Sequence, residues 1–302
     1  MTRSVETIAA DAGERLDVAV AKAAGVTRSR AARLIDAGAV TVNGLAAARS
    51  VRLAAGDRVS ITVAEEPDEA PAAEDIPVPV VYEDEWLLVV AKPAGLVVHP
   101  APGHPGGTLV NALLARLGKT PPGESQRPGI VHRLDAGTSG LMIVALEESA
   151  HERLREMMAA REVTRTYLAL VEGSPPANAT IDAPIGRSPR HRKRMAVVAG
   201  GKEAITEIRR VEVLPETALV EARPRTGRTH QIRVHLAEAG YPIVGDRVYG
   251  RDRKLAARLE LDRPFLHAAG LSFVHPSTGV PIELSEPLPE DLANALERAR
   301  RG

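Results

Sequence analysis

Between Glu65 and Pro79 the chain carries six acids (Glu65, Glu66, Asp68, Glu69, Glu74 and Asp75) and no base, set among prolines and alanines with no helical or strand period. Such a stretch has little apolar surface to bury, so it stays extended and the sequence on either side must fold separately. A small domain over 1–64, a linker over 65–79 and a large domain over 80–302 are expected. The length of 302 residues agrees with a division, because single cores stop growing near ~250–300 residues. The formal charge is zero, 39 basic against 39 acidic residues, yet with six acids confined to the linker the remainder carries a formal +6. A polyanionic partner is therefore open. With no cysteine, disulfides, thiolate catalysis and thiolate metal sites are excluded. The most apolar run, Trp86 to Ala91, is too short to span a bilayer, and Met1 to Asp11 holds acids and no signal-peptide core, so a cytoplasmic protein without membrane contact is expected.

The small domain, roughly Gly13 to Val63, reads as two short helices followed by strands. Leu16, Val18, Ala19 and Ala23 form a helical stripe. Thr27 can cap a second helix whose Ala31, Ala32, Leu34 and Ile35 face inward while Arg28, Arg30 and Arg33 face outward. Ala39 to Val42 alternates, Asn43-Gly44 is a hairpin turn, and Gly56-Asp57 precedes a strand over Arg58 to Val63.

The large domain mixes strands and helices. Val80 to Tyr82, Trp86 to Ala91, Leu141 to Leu146, Thr164 to Val171, Ala204 to Leu214 and Thr217 to Ala222 predict strands; Thr108 to Leu117, Ala150 to Ala160 and Gln231 to Ala239 predict helices. Without a repeat of 20–50 residues, solenoids and propellers are excluded, leaving an α+β domain with a mixed, mainly antiparallel central sheet flanked by helices.

Within it, Gly129 to Gly140 reads G-I-V-H-R-L-D-A-G-T-S-G. One carboxylate, Asp135, stands beside Arg133 among small and turn-forming residues, the composition of a backbone that passes close to a ligand while presenting one side chain to it. The cluster Arg187 to Arg194, R-S-P-R-H-R-K-R, carries five formal positive charges in eight residues and has no apolar face, which suits phosphate contact through Arg190, Arg192, Lys193 and Arg194.

Four segments, K-P-A-G-L-V-V-H-P from Lys92, H-R-L-D ending at Asp135, R-T-Y-L-A from Arg165 and T-G-R-T-H-Q-I-R-V-H from Thr226, lie in one order. Together they resemble the RNA pseudouridine synthases of the ribosomal large-subunit type, the RluA/RluD family, and most closely its RluD branch. In the first domain T-R-S-R, L-I-D-A-G-A-V-T-V-N-G and G-D-R-V resemble the S4-like RNA-binding domain that this branch carries, in which the arginine helix lies on the RNA backbone, here through Arg28, Arg30 and Arg33.

The resemblance implies an isomerase that detaches uracil from ribose carbon 1′ and rejoins it through ring carbon 5, with no cofactor and no metal. It implies large-subunit ribosomal RNA as substrate and a monomeric enzyme. Asp135 is then the essential carboxylate, Arg233 its fixed cationic partner and Tyr167 the ring that stacks on uracil and aids proton transfer. Arg133 fills the gap left by the flipped nucleotide. His132, Leu134, Arg228 and His230 surround the substrate, the histidines, like His235, as hydrogen-bonding or packing groups. The letters H-R-x-D do not make a kinase, since the Gly-rich loop, strand lysine and D-F-G are missing. A non-catalytic ribosome-assembly factor would predict a damaged Asp-Tyr-Arg set, and a base-flipping glycosidase would release free uracil.

Overall fold

The computed structural model describes residues 2–9, 12–26, 28–64, 71–100, 104–191 and 194–302. Two compact units divide the chain, Met1–Glu69 and Ala70–Gly302.

The first unit runs β1 (Thr2–Ile8), α1 (Leu16–Ala24), α2 (Arg28–Asp36), β2 (Val40–Val42), β3 (Leu45–Ala46) and β4 (Arg58–Ala64), with an antiparallel sheet in the order β1-β4-β2-β3. Leu16 and Val20 of α1, Ala31 and Ile35 of α2, and Val40, Val59 and Ile61 of the sheet close its core. Asn43 and Gly44 turn the β2–β3 hairpin with φ of 50° and 81°, the pair of positive values that a tight right-twisted hairpin requires. Strand β1 has too polar a pattern to be expected; it is a strand because its whole length pairs with β4. Thr27, the expected cap of α2, lies outside the described residues. Val18 is not among the buried positions of α1, whereas Asp17 is. The reason is ionic: Arg15 and Arg28 both donate to the Asp17 carboxylate, at 3.0 Å each, and with the Arg15 bond foremost they hold its pKa below the usual carboxylate value. Arg28 therefore ties α2 to α1 while its side chain stays exposed, outward like that of Arg33.

The second unit holds β5 (Val80–Glu83), β6 (Leu87–Lys92), α3 (Leu109–Leu117), β7 (Ser139–Ala145), α4 (Glu148–Ala159), β8 (Thr164–Glu172), β9 (Asn178–Asp182), β10 (Ile185–Arg187), β11 (Met195–Val197), β12 (Ile205–Val213), β13 (Thr217–Pro224), α5 (Gln231–Glu238), α6 (Arg253–Arg258), β14 (Leu266–Val274), β15 (Pro281–Ser285) and α7 (Glu290–Arg301). Nine strands make one sheet, in the order β5-β6-β7-β14-β8-β13-β12-β9, with β15 paired to the far half of β14; β10 and β11 form a separate hairpin. Among these pairs only β7 with β14 is parallel, so the sheet is mixed and mainly antiparallel.

Both faces of the sheet are covered, which explains why β6 and β7 are apolar without interruption. Leu88, Val90, Met142 and Val144 belong to the larger core, which also holds residues of α3, α5 and α7, while Leu87, Val89, Leu141 and Ile143 share a second core with Leu154 and Met157 of α4. The strand period of two sorts neighbours to opposite sides. Gly140 marks where β7 meets β14 most closely: its φ is +112° and a Cβ there would collide with the backbone of Ala268. Gly140→Ala is expected to lower the stability of this unit by about 2 kcal/mol or more, read as a fall in the denaturant midpoint.

The expected linker divides differently. Pro71 to Pro79 belongs with the second unit, where Glu74 accepts the Gly107 N–H, the Glu74 N–H donates to the Asn111 carbonyl, and Asn111 Nδ2 donates to Ala72. Its acids and prolines do not keep it free because α3 offers it backbone partners.

Candidate active site

The carboxylate loop is fixed from below by groups that bond its backbone. At the end of β6, Lys92 is 1% exposed and its ammonium donates to the carbonyls of Pro93 at 2.8 Å, Leu96 at 2.9 Å and Ala136 at 3.3 Å. Gly95 N–H donates to the same Ala136 carbonyl, and Arg263, itself forked onto Asp291, donates to Gly137. Asp135 is thus held by its neighbours' backbone, with Thr138 N–H closing a turn onto its carbonyl at 3.0 Å. Burial pushes the Lys92 pKa down to about 7, with Asp135 opposing the shift and Arg263 adding to it. Because the folded value is depressed, the amine's share of stability is complete above ~10.5 and is lost as pH falls toward 7. Lys92→Met should cost about 2 kcal/mol or more by stranding buried carbonyls, and wild-type melts should gain on the variant's between pH 7 and 9.5.

The next motif, R-T-Y-L-A, enters as β8. Arg165 and Tyr167, two apart, share one strand face. Tyr167 is 6% exposed and lines the same cavity as Asp135, while Arg165 donates from Nη2 to the Pro224 and Thr226 carbonyls, holding the β13–α5 loop. Burial, aided by the Asp135 charge and opposed by Arg165, raises the Tyr167 pKa, so its hydroxyl keeps its proton at neutral pH.

The last motif builds α5. Gln231 accepts from the Arg228 N–H and the Thr226 hydroxyl and donates to Ile205 and Thr206. His235 bridges the Thr206 hydroxyl and the Ala183 carbonyl, both at 2.9 Å. His230, at the helix entrance, has φ of 58°, in the left-handed region. The spacing predicts a one-sided helix; instead Gln231 through Leu236 are all buried.

That burial encloses a charge. Arg233 is 7% exposed, and its guanidinium donates to Asp135 Oδ2 at 3.0 Å and, in a fork, to Asp246 at 2.7 and 2.9 Å. Burial opposes its charge, but the bonds and charge of Asp246, then those of Asp135, outweigh that and raise its pKa above the usual guanidinium value. Asp246 is positioned in turn by the N–H groups of Val248 and Tyr249. Asp135, its side chain 19% exposed, opens onto a cavity of about 310 Å³ lined also by Arg133, Leu134, Arg165, Tyr167 and Arg228, within the ~300–1,000 Å³ range of small-molecule sites. His230 Nε2 stands 4.0 Å from Asp135 Oδ1.

Arg133 is exposed, and Asp135 pairs with Arg233, the partner that the resemblance implies. His132 lines the cavity but is committed to the fold: Nε2 accepts the Ile143 N–H at 2.9 Å, Nδ1 is buried without a partner among the described residues, and burial, with the Arg165 charge, pushes its pKa down to about 3. Arg228 donates to the Glu203 carbonyl from the cavity rim. Outside the cavity Arg190 and Arg194 are exposed on the turn joining β10 and β11, whereas Arg192 and Lys193 lie outside the described residues; Arg33 is exposed and Arg30 half-buried on α2.

Sequence reasoning missed Asp246, Tyr249 and the role of Lys92. The signal for Asp246 was the need of a buried guanidinium for more than one carboxylate. For Lys92 it was a charge ending a wholly apolar strand.

A family model described as RNA pseudouridylate synthase matches residues 86–238, and an S4 domain model matches residues 14–59. The chain belongs to the RNA pseudouridine synthases, isomerases that convert uridine in RNA to pseudouridine. An uncharacterized RNA pseudouridine synthase of Chloroflexus aurantiacus is 47% identical over 94% of this chain and 90% of its own length. The ribosomal large subunit pseudouridine synthase D of Xanthomonas campestris pv. campestris is 44% identical over 96% of this chain and 90% of its own. Among solved structures, human RNA pseudouridylate synthase domain containing 1 aligns with a TM-score of 0.58 at 29% identity, covering 72% of this chain and 86% of that one.

Proposed function

We propose that this enzyme isomerises uridines of large-subunit ribosomal RNA, with Asp135 as its working carboxylate. The observation that carries the reading is the Asp135–Arg233–Asp246 chain, which sets one carboxylate at a base-sized cavity and fixes it through a guanidinium that never loses its proton. Arg233 keeps the negative charge oriented while the bond from uracil to ribose is broken. Tyr167 supplies the ring against the extruded base, restoring part of the stacking lost on flipping. Its protonated hydroxyl can pass on a proton only as it receives one, which suits a relay for the hydrogen leaving ring carbon 5. The Tyr167→Phe protein keeps the ring, so RNA affinity is expected to stay within about twofold while kcat falls ~10²–10⁴-fold, the usual worth of a positioned acid–base group.

The ribosomal substrate rests on the relatives named for the large subunit and on the S4 match. Arg33, Arg190 and Arg194 supply backbone contacts, with Arg192 and Lys193 assigned to the same role from sequence alone. Arg133 and Arg228 lie at the cavity for the nucleotides beside the target, and Leu134 and His230 for the base itself. A monomeric, cytoplasmic enzyme belongs to the same reading; no helix of the described residues is long and apolar enough to cross a membrane. A non-catalytic assembly factor would have no need of a complete acid, guanidinium and tyrosine set. The test is to incubate the protein with unmodified ribosomal RNA, free and in assembling particles, and to map pseudouridines by chemical labelling. New sites are expected in the large-subunit RNA; conversion confined to other RNAs would overturn the substrate.

A further inference from the structure

Tyr249 lies three residues beyond Asp246, and none of the roles above uses its hydroxyl. Its ring packs with Ile185, Met195, Val197, Ala204 and Val234 in a small apolar cluster that joins the β10–β11 hairpin to α5. The Arg233 guanidinium sits 5.1 Å from the centre of that ring. The phenol oxygen accepts the N–H of Met195 at 3.0 Å, directly after Arg194, and lies 2.9 Å from His230 Nδ1. The opposite ring nitrogen, His230 Nε2, is the one 4.0 Å from Asp135 Oδ1.

A phenol owns one hydrogen, and the Met195 N–H already occupies one of its lone pairs. The bond to the histidine then satisfies both partners best when Tyr249 donates to Nδ1, which leaves the imidazole hydrogen on Nε2, toward the carboxylate. We propose that Tyr249 is a positioning residue: it fixes His230 as the tautomer whose Nε2–H faces Asp135, and it ties that arrangement to the root of the basic hairpin. This rests on Asp135 being the working carboxylate. The charged groups around His230 are Asp135, Arg233, Asp246 and Arg133; burial, ahead of them, lowers its pKa, so the ring is neutral at neutral pH and a tautomer is defined. Seating of the hairpin on RNA and readiness of the carboxylate are thereby connected through one side chain.

The test is Tyr249→Phe, which keeps the ring and removes the hydroxyl. Long-range ¹H–¹⁵N spectra of the free protein at pH 7.5 are expected to give Nε2–H for His230 in the wild type. In the variant they should give a mixture or Nδ1–H, with a raised His230 pKa because the neutral ring has lost its donor. In turnover, kcat should fall about tenfold at pH 7.5 and further at pH 6, with KM for RNA within about twofold. An Nδ1–H His230 in the wild type, or a variant with wild-type kcat at both pH values, overturns the proposal. So does a uniform loss at both pH values with an unchanged tautomer and a lowered melting temperature, which is the signature of packing alone. A wild-type protein that makes no pseudouridine while holding His230 as Nε2–H counts against the role of Asp135 and in favour of the hold of Tyr249 on the histidine.

Discussion

Asp135→Asn is expected to cut single-turnover pseudouridine formation by on the order of 10⁴-fold or more while leaving the fold and RNA affinity in place. The size follows from the part the carboxylate plays: when one group must carry the chemistry and nothing duplicates it, its removal costs about what removal of the whole constellation costs. The fold survives because the substitution keeps the side-chain shape and because Arg233 remains forked onto Asp246 at 2.7 and 2.9 Å. Lys92, Gly95 and Arg263 still hold the loop backbone. Superimposable near-ultraviolet dichroism and an unchanged RNA titration, together with the lost rate, would confirm it. A variant within tenfold of wild type would remove Asp135 from the chemistry.

Asp246→Ala is expected to damage stability and turnover together. It leaves a guanidinium that is 7% exposed with only Asp135 as its acid, and it strips the Val248 and Tyr249 N–H groups of their acceptor. Breaking a buried ion pair from one side costs ~3–5 kcal/mol, a fall of on the order of 10 °C in melting temperature for a unit of this size. Turnover should drop by on the order of 10²-fold, since Arg233 loses the fork that aims its remaining nitrogen at Asp135. The pH dependence has a definite sign. Burial alone would raise the Asp246 pKa, but Arg233 and the two N–H groups bring it below the usual value. Its contribution is therefore present above ~4 and is lost as pH falls below that, so the gap between wild type and variant should close only in acid. Thermal melts between pH 3 and 7 measure this. A variant with wild-type stability and activity would mean that Arg233 is aimed by something else.

The parts of the site legible in the sequence are those that one segment defines by itself. β6 and β7 are legible because strands covered on both faces carry continuous apolar runs, Leu87–Ala91 and Leu141–Ala145, and the loop after Gly129 because its turn residues surround a lone acid. The resemblance carried by four motifs in order named Tyr167 and Arg233, which line one cavity with Asp135. Illegible were the pairings that depend on tertiary approach. Asp246 meets Arg233 across the turn that follows α5, and no periodicity reports that. Arg28 is outward as read, but its bond to Asp17, buried on the neighbouring helix, is not visible in the pattern. The acids of the linker segment read as solvated until α3 offers backbone partners to Glu74. β14 escapes pattern reading for a related reason: L-H-A-A-G-L-S-F-V shows no clean alternation, because the strand is shared among β7, β8 and β15 and packs small residues where the sheet divides.

The account depends most on the uracil being rejoined in the pocket that detached it. The direct measurement uses RNA whose uridines carry tritium at ring carbon 5, a position that must give up its hydrogen when carbon replaces nitrogen in the bond to ribose. Wild-type protein should release one tritium for each pseudouridine formed, with the RNA unchanged in mass apart from that exchange and no free uracil in solution. Uracil released with abasic sites left behind, or pseudouridine absent while the protein binds the RNA, would contradict it.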